Sequence, residues 1–261
     1  VRALAHVDAP LRPARASLRR LGWALLVLLA LVPWAAGVWP YLPVLLVDML
    51  VAALFASSLH FIMGPGGLHS FGHAAYFGLG AYAAALLVRT AGVPMELALA
   101  LAPLAAGLGA LLYGWLCVRL SGVYLTMLTL AFAQITWALC YQWDAVTGGS
   151  NGITGVWPAA WLANPLAYYA LTLAVVVAAA LLLRRMLLAP FGLALRAARD
   201  SALRAEALGV DVRRLQWAAF VVAGVAAGLA GALFVFSKGS ISPDALSVGK
   251  SVDGLVMVLL G

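Results

Sequence analysis

Seven stretches of this chain run for about 20 residues almost without charge, and that feature fixes the solvent in which the chain folds. A helix rises 1.5 Å per residue, so about 20 apolar residues cross a hydrocarbon layer about 30 Å thick. By that length the stretches fall at roughly 21–39, 44–63, 70–88, 96–117, 122–141, 165–183 and 217–236. An eighth begins near Ser251 and is still apolar, Leu255 to Leu260, where the sequence reaches Gly261. Hydrophobic residues make up 65% of the 261 positions and charged ones 10%, where soluble domains average about 45–50% and about 25%. A soluble fold of this size has no interior large enough for so much apolar side chain, and the mean hydropathy of +1.04 agrees. Disordered, collagen-like, disulfide-stapled and ordinary cytosolic classes are excluded. The expected fold is all-α, a polytopic transmembrane bundle of about eight or more spans. Because the sequence starts at Val1 and stops inside an apolar run, a C-terminal portion is expected to be missing.

Arginine and lysine set the orientation. With the N-terminus cytoplasmic and the spans alternating, Arg2, Arg12, Arg15, Arg19 and Arg20 face inward. So do Arg119 and then Arg184, Arg185, Arg196, Arg199, Arg204, Arg213 and Arg214. Of the 16 basic residues only Arg89, Lys238 and Lys250 fall outside. Residues 1–20 read as a basic cytoplasmic arm, 21–261 as one transmembrane domain, and 184–216 as its longest cytoplasmic loop. The net charge of +7 sits in short clusters between apolar runs, which describes a protein in a lipid bilayer and no nucleic-acid partner. The first span follows a basic stretch as a signal peptide would, but its apolar run is long for that role and more spans follow, so it is retained.

Ionisable groups within the spans are few: Asp48 near the outer end of the second, His60 near its inner end, and His73 near the inner start of the third. The deeper polar groups are hydroxyls and amides, Ser57, Ser58, Thr126, Thr129, Gln134 and Thr136. Hydrogen bonding between helices accounts for most of these; the remainder points to a pathway for a solute without large net charge. Cys117 and Cys140 lie in different spans with no metal-ligand spacing, so they read as buried free thiols. No metal or cofactor site is expected.

Two apparent nucleotide motifs fail on context. Gly249-Lys250-Ser251 lacks the first glycine of a phosphate loop, having Asp244 there, and falls on the outside; Gly78 to Ala83 lies in an apolar helix with no preceding strand. The second, like Gly224 to Gly228, suits close helix packing through small residues. Three stretches carry more information. Gly64-Pro65-Gly66-Gly67-Leu68-His69-Ser70-Phe71-Gly72-His73 cannot continue a helix. It is either a tight cytoplasmic turn or broken backbone lining a cavity. Thr147-Gly148-Gly149-Ser150-Asn151-Gly152-Ile153 supplies the positive dihedrals of sharp turns, as an outer connector or as a contact for an extracytoplasmic partner. In the loop 184–216, Phe191 to Leu208 is rich in helix formers, Pro190 sets it apart from the preceding span, Gly209 suits a helix end and Asp211 a cap. Such a helix lies on headgroups or docks into a soluble partner, and the mixed signs of Arg199, Asp200, Arg204 and Glu206 favour a protein.

Together these stretches resemble the permease subunits of branched-chain amino acid ABC transporters, of the LivM type. The matching passages are Gly72 to Tyr82, Thr129 to Ile135, Thr147 to Gly152 and Pro190 to Asp211, in the family order over most of 42–261. The resemblance implies an ATP-driven importer of branched-chain amino acids in the bacterial inner membrane. It implies two cytoplasmic ABC ATPases, a second homologous permease and an extracytoplasmic binding protein as partners. Arg204-Ala205-Glu206-Ala207-Leu208-Gly209 looks like a degenerate Glu-Ala-Ala loop, so Arg199, Asp200, Arg204, Glu206, Ala207 and Gly209 are expected at the ATPase contact. His60, Gly64, Gly66, Gly67, Ser70, His73, Thr129 and Gln134 are expected along the pathway. His60 and Leu68 replace the asparagine and glutamine typical of such sequences, which leaves urea, short amides or other amino acids as alternative cargo. An ion-coupled secondary transporter lacks a midplane acid here. A membrane enzyme would have only His60, His69, His73 and Asp48 to draw on.

Overall fold

Small residues decide the centre of the bundle. The computed structural model describes residues 41–260; the expected arm 1–20, with its five arginines, the expected span 21–39 and Gly261 lie outside the described residues. The helices are α1 (Leu42–Met63), α2 (His73–Arg89), α3 (Met95–Cys117), α4 (Val123–Gln142), the one-turn α5 (Asp144–Thr147), α6 (Pro165–Leu188), α7 (Pro190–Asp200), α8 (Ala202–Ala207), α9 (Val212–Lys238) and α10 (Val248–Leu260). A two-residue antiparallel pairing, β1 (Ile153–Thr154) with β2 (Ser240–Ile241), is the one sheet among the described residues. The fold is all-α, as expected. Among the described residues five helices, α1, α3, α4, α6 and α9, are long and apolar enough to cross a membrane. The third expected span is the 17-residue α2, and the eighth is the 13-residue α10.

α9 is the most buried of the long helices. Side chains added to its glycines would have nowhere to go: at Gly224 one would meet Ala110, at Gly228 Ala106, and at Gly231 the carbonyl of Phe77. Gly80 of α2 faces the backbone of Gly228 directly. Lipid offers no hydrophobic drive between helices, so packing through backbone-to-backbone approach supplies the association instead. This joins α2, α3 and α9 into a core that α1 and α6 flank. Cys117 and Cys140 are buried and unpaired.

Loops gather at two ends. At one, Arg199 Nη1 donates to the Gly64 carbonyl at 2.9 Å, and residues 66–69, 120–122 and 198–199 line one small cavity. At the other, β1 pairs with β2, Trp161 Nε1 donates to Glu96 Oε1 at 2.8 Å, and Lys238 pairs with Asp48 at 2.7 Å. The segment expected as a single helix from Phe191 to Leu208 is broken in two. Ser201 is extended, with φ −162°, and its Oγ caps α8 by accepting from the Arg204 N–H, the local interaction that competes with a continuous helix. α6 also continues through Arg184 and Arg185 to Leu188, and α9 already starts at Val212. Gly209 takes φ +85°, and Asp211 Oδ1 caps α9 by accepting from Arg214 N–H at 3.0 Å, as the sequence suggests.

Gly228→Leu should therefore separate α9 from α2 and α3 and lower stability by about 1–3 kcal/mol or more. Thermal unfolding in detergent should show a lower Tm for Gly228→Leu and an unchanged one for Ala174→Leu on the exposed face of α6. Equal Tm values would mean that this seam does not hold the bundle.

Candidate functional site

α1 ends at Met63 because the next residues turn: Gly67 N–H donates to the Met63 carbonyl and Leu68 N–H to that of Ile62. Gly66 is pressed on the Ile62 carbonyl, and Gly67 has φ +64° with any added Cβ 2.6 Å from Arg199 Cγ. Only glycine fits either position. The chain then runs back into the bundle without helix. Phe71 N–H donates to Thr129 Oγ1 at 3.2 Å, Gly72 lies on the Thr129 carbonyl, and α2 begins at a fully buried His73. His73 Nε2 and Ser58 Oγ are 2.8 Å apart. Ser58 lies five residues before the end of α1, about 7–8 Å inside by helical rise. The Gly64–His73 run thus combines a turn with a returning stretch.

A second break lies opposite. After β2 the chain passes Pro243–Leu246, both ends buried, and Leu246 fills the space left by Gly78. α10 then begins within the bundle. Its Ser251 Oγ accepts from the Ala74 N–H at 3.1 Å, and Ser247 Oγ accepts from the Lys250 N–H at 3.3 Å. Two helices therefore start inside the protein with their first turns side by side. Helix starts leave N–H groups unpaired, and where no water reaches each needs a side-chain acceptor. Ser251 and Ser247 supply two. Ser70 Oγ and His73 Nδ1 are buried with no hydrogen-bond partner among the described residues. Orphaned polar atoms of this kind fit a place where water or a polar solute passes.

Of the expected pathway residues, Ser70, His73 and Thr129 converge here, joined by Ser58 and Ser251. Gly64, Gly66 and Gly67 form the turn below them. His60 is exposed and lines a separate cavity of about 320 Å³ with Ser57, Arg184 and Met257. Gln134 does not join the cluster: it points away on the exposed side of α4, whose buried side carries Thr129, Ala133 and Thr136. In the 147–153 loop, Gly148, Gly149 and Gly152 all have positive φ, Gly152 packs on the Ile241 carbonyl, and Ser150 and Asn151 are exposed. At the 184–216 segment, Arg199 pairs with Asp200 at 2.9 Å. Arg204, Glu206, Ala207 and Gly209 are exposed, while Ala205 packs with Ala198 and Val212. Leu203 and Leu208 are 80% and 83% exposed beside them, an apolar pair that solvent alone does not explain.

Sequence reading missed Ser251 and did not foresee that Lys250 sits over the Phe77 and Phe234 rings. The signal was the break Ser242–Ser247, which reads as an ordinary connector unless its depth is known.

The chain matches the family described as "Branched-chain amino acid transport system / permease component" over residues 41–261. It is similar to the "High-affinity branched-chain amino acid transport system permease protein LivM" of Escherichia coli (strain K12), 29% identical over 239 residues. That alignment covers 81% of this chain and 56% of the relative. The protein of the same description from Salmonella typhimurium is 28% identical with the same coverage. The chain thus spans about half the length of the curated relatives it matches (56%). No solved structure matches it.

Ser251→Ala should leave the Ala74 N–H buried and unpaired, at about 1–3 kcal/mol. A drop in Tm is expected for Ser251→Ala, largely recovered by Ser251→Thr, and none for Ser57→Ala, whose hydroxyl donates to the Ala53 carbonyl of its own helix. An unchanged Tm in Ser251→Ala would show that the two helix starts do not depend on each other.

Proposed function

The chain belongs to the branched-chain amino acid transport permease family, and on that premise we propose that it is the membrane-spanning subunit of an ATP-driven importer for branched-chain and other hydrophobic amino acids. The observation that carries the reading is the family match across residues 41–261. The assembly has two cytoplasmic ABC ATPases, a second, homologous permease and an extracytoplasmic binding protein, in the bacterial inner membrane. The chain crosses the membrane about eight or more times with its N-terminus inside, by the distribution of arginine and lysine. The end carrying Gly64, Leu120 and Arg199 is then cytoplasmic, and the end carrying β1 and β2 faces out.

α7 and α8 form the ATPase contact, with Glu206, Ala207, Leu203 and Leu208 outward. ATP binding in the partners biases the bundle between inward- and outward-facing states. Arg199 hands that bias on, because its guanidinium holds the Gly64 carbonyl while its stem fills the space at Gly67. A shift of α7 moves the Gly64–Gly72 run, and with it Ser70, His73 and the start of α2. The solute passes this cluster of hydroxyls and the imidazole, and His60 lines the cytoplasmic exit.

Reporters inserted after Asn151 and after Ala205 should fall on opposite faces, external and cytoplasmic. In cells lacking their own carriers, the chain with its partner subunits should restore ATP-dependent leucine, isoleucine and valine uptake. Uptake of urea or amides alone, or uptake driven by an ion gradient without the ATPases, would overturn the reading. Glu206→Arg and Ala207→Trp should each weaken ATPase co-purification, by about 2–5 kcal/mol for Glu206 if its interface pair is buried. Arg199→Ala should keep assembly while uncoupling hydrolysis from uptake; normal coupling in all three would move the contact elsewhere.

A further inference from the structure

Four charged side chains of a chain with only 10% charged residues line one cavity beside the half-exposed Lys238–Asp48 pair. It measures about 300 Å³ and is bounded by Asp48 and Phe55 of α1, Phe77 of α2, Phe234 and Lys238 of α9, and Lys250 and Asp253 of α10, with further residues of α1 and α10. On the 22-residue α1, Asp48 and Phe55 lie six and thirteen residues from the start, about 9 and 20 Å along a helix of about 33 Å. The volume is at the low end of the roughly 300–1,000 Å³ of small-molecule sites. Ionisable groups along apolar helices are rare and are usually functional.

The charges are not used up among themselves. Lys238 Nζ bonds Asp48 Oδ2 at 2.7 Å, but Asp48 Oδ1 is buried with no hydrogen-bond partner among the described residues. Lys250 makes no ion pair among the described residues; its Nζ lies 5.5 Å and 5.7 Å from the Phe77 and Phe234 ring centres, a cation held against aromatic faces. Asp253, three residues on along α10 and so on the same side, also has no ion pair among the described residues. Two carboxylates and two ammonium groups leave the cavity with no formal net charge, so a ligand that is itself neutral overall and internally charged adds no uncompensated charge.

We propose that this cavity is the intramembrane seat of a free α-amino acid. The Lys250 ammonium takes its carboxylate, Asp48 Oδ1 with Asp253 takes its ammonium, and Phe55, Phe77 and Phe234 receive its apolar side chain. The inference rests on the permease reading above and adds where in this chain the zwitterion sits. The same pairing of an anion with an ammonium occurs in a phosphatidylethanolamine headgroup, and the test separates the two.

The assembled complex, without binding protein, is purified in detergent and its Tm followed with millimolar leucine, leucinamide (no carboxylate) or 4-methylpentanoate (no ammonium). Leucine should raise the Tm by a few degrees and the two analogues should not, as binding to the folded state alone requires. Lys250→Gln and Asp253→Asn, which break no ion pair seen in the fold, should abolish that shift and lower leucine uptake in liposomes about tenfold or more. Wild-type uptake of leucine together with wild-type uptake by both variants would overturn the site and leave the permease reading intact. Absence of any amino-acid uptake by the wild type would instead overturn that reading. A Tm shift given by phosphatidylethanolamine and not by leucine would make the cavity a lipid site and overturn the proposal.

Discussion

Every backbone N–H and C=O shut away from water must find its partner inside the protein, and this chain breaks its helices twice within the bundle. Both breaks are covered. The returning stretch before α2 gives its Phe71 N–H to Thr129, and the start of α2 gives its Ala74 N–H to Ser251. The start of α10 leans on Ser247 in turn. The break before α2 is covered by residues from elsewhere in the fold, and the one before α10 by its own Ser247, so the start of α2 cannot be placed without α4 and α10. Ser58, His73 and Ser251 meet at this start, and with Ser70 each is at most 1% exposed.

Such an arrangement needs a rigid surround, and α9 provides it. Its glycines and alanines let α2 and α3 approach to backbone contact, so the position of α2 is set by shape and not by a few polar bonds. A helix fixed so closely can begin in mid-bundle without sliding. Gly78 and Gly254 extend the same device to the second break, the one seating Leu246 and the other Phe55. Where glycine appears in this core it marks another group's place.

The segment from α7 to α8 meets the same site from one end of the bundle. Arg199 is the connecting residue, bonded to Asp200 on its own helix and to the Gly64 carbonyl across 135 residues of sequence. A contact between a mostly exposed pair of short helices and the turn beneath a buried polar cluster is a physical route by which a bound partner and the interior could influence each other. It is a single arginine and a glycine turn, so it is testable residue by residue.

The sequence alone determined the solvent, the helical class and the long apolar elements, because hydropathy over about 20 residues is a local quantity. It also fixed the chain's punctuation: Gly209 and Asp211 where one helix ends and the next begins, positive φ at Gly148, Gly149 and Gly152, and close packing along Gly224 to Gly228. Those follow from what a glycine or an aspartate does to its own backbone. Only the tertiary structure decided depth. Ser251 meets Ala74 across 177 residues and Lys238 meets Asp48 across 190, and Lys250 lies against Phe77. Ser201 dividing the segment after α6 belongs to the same class, as does Gln134 turned to the outer side of α4. No local pattern carries these, because they depend on how far a non-helical stretch descends among helices packed from distant parts of the chain.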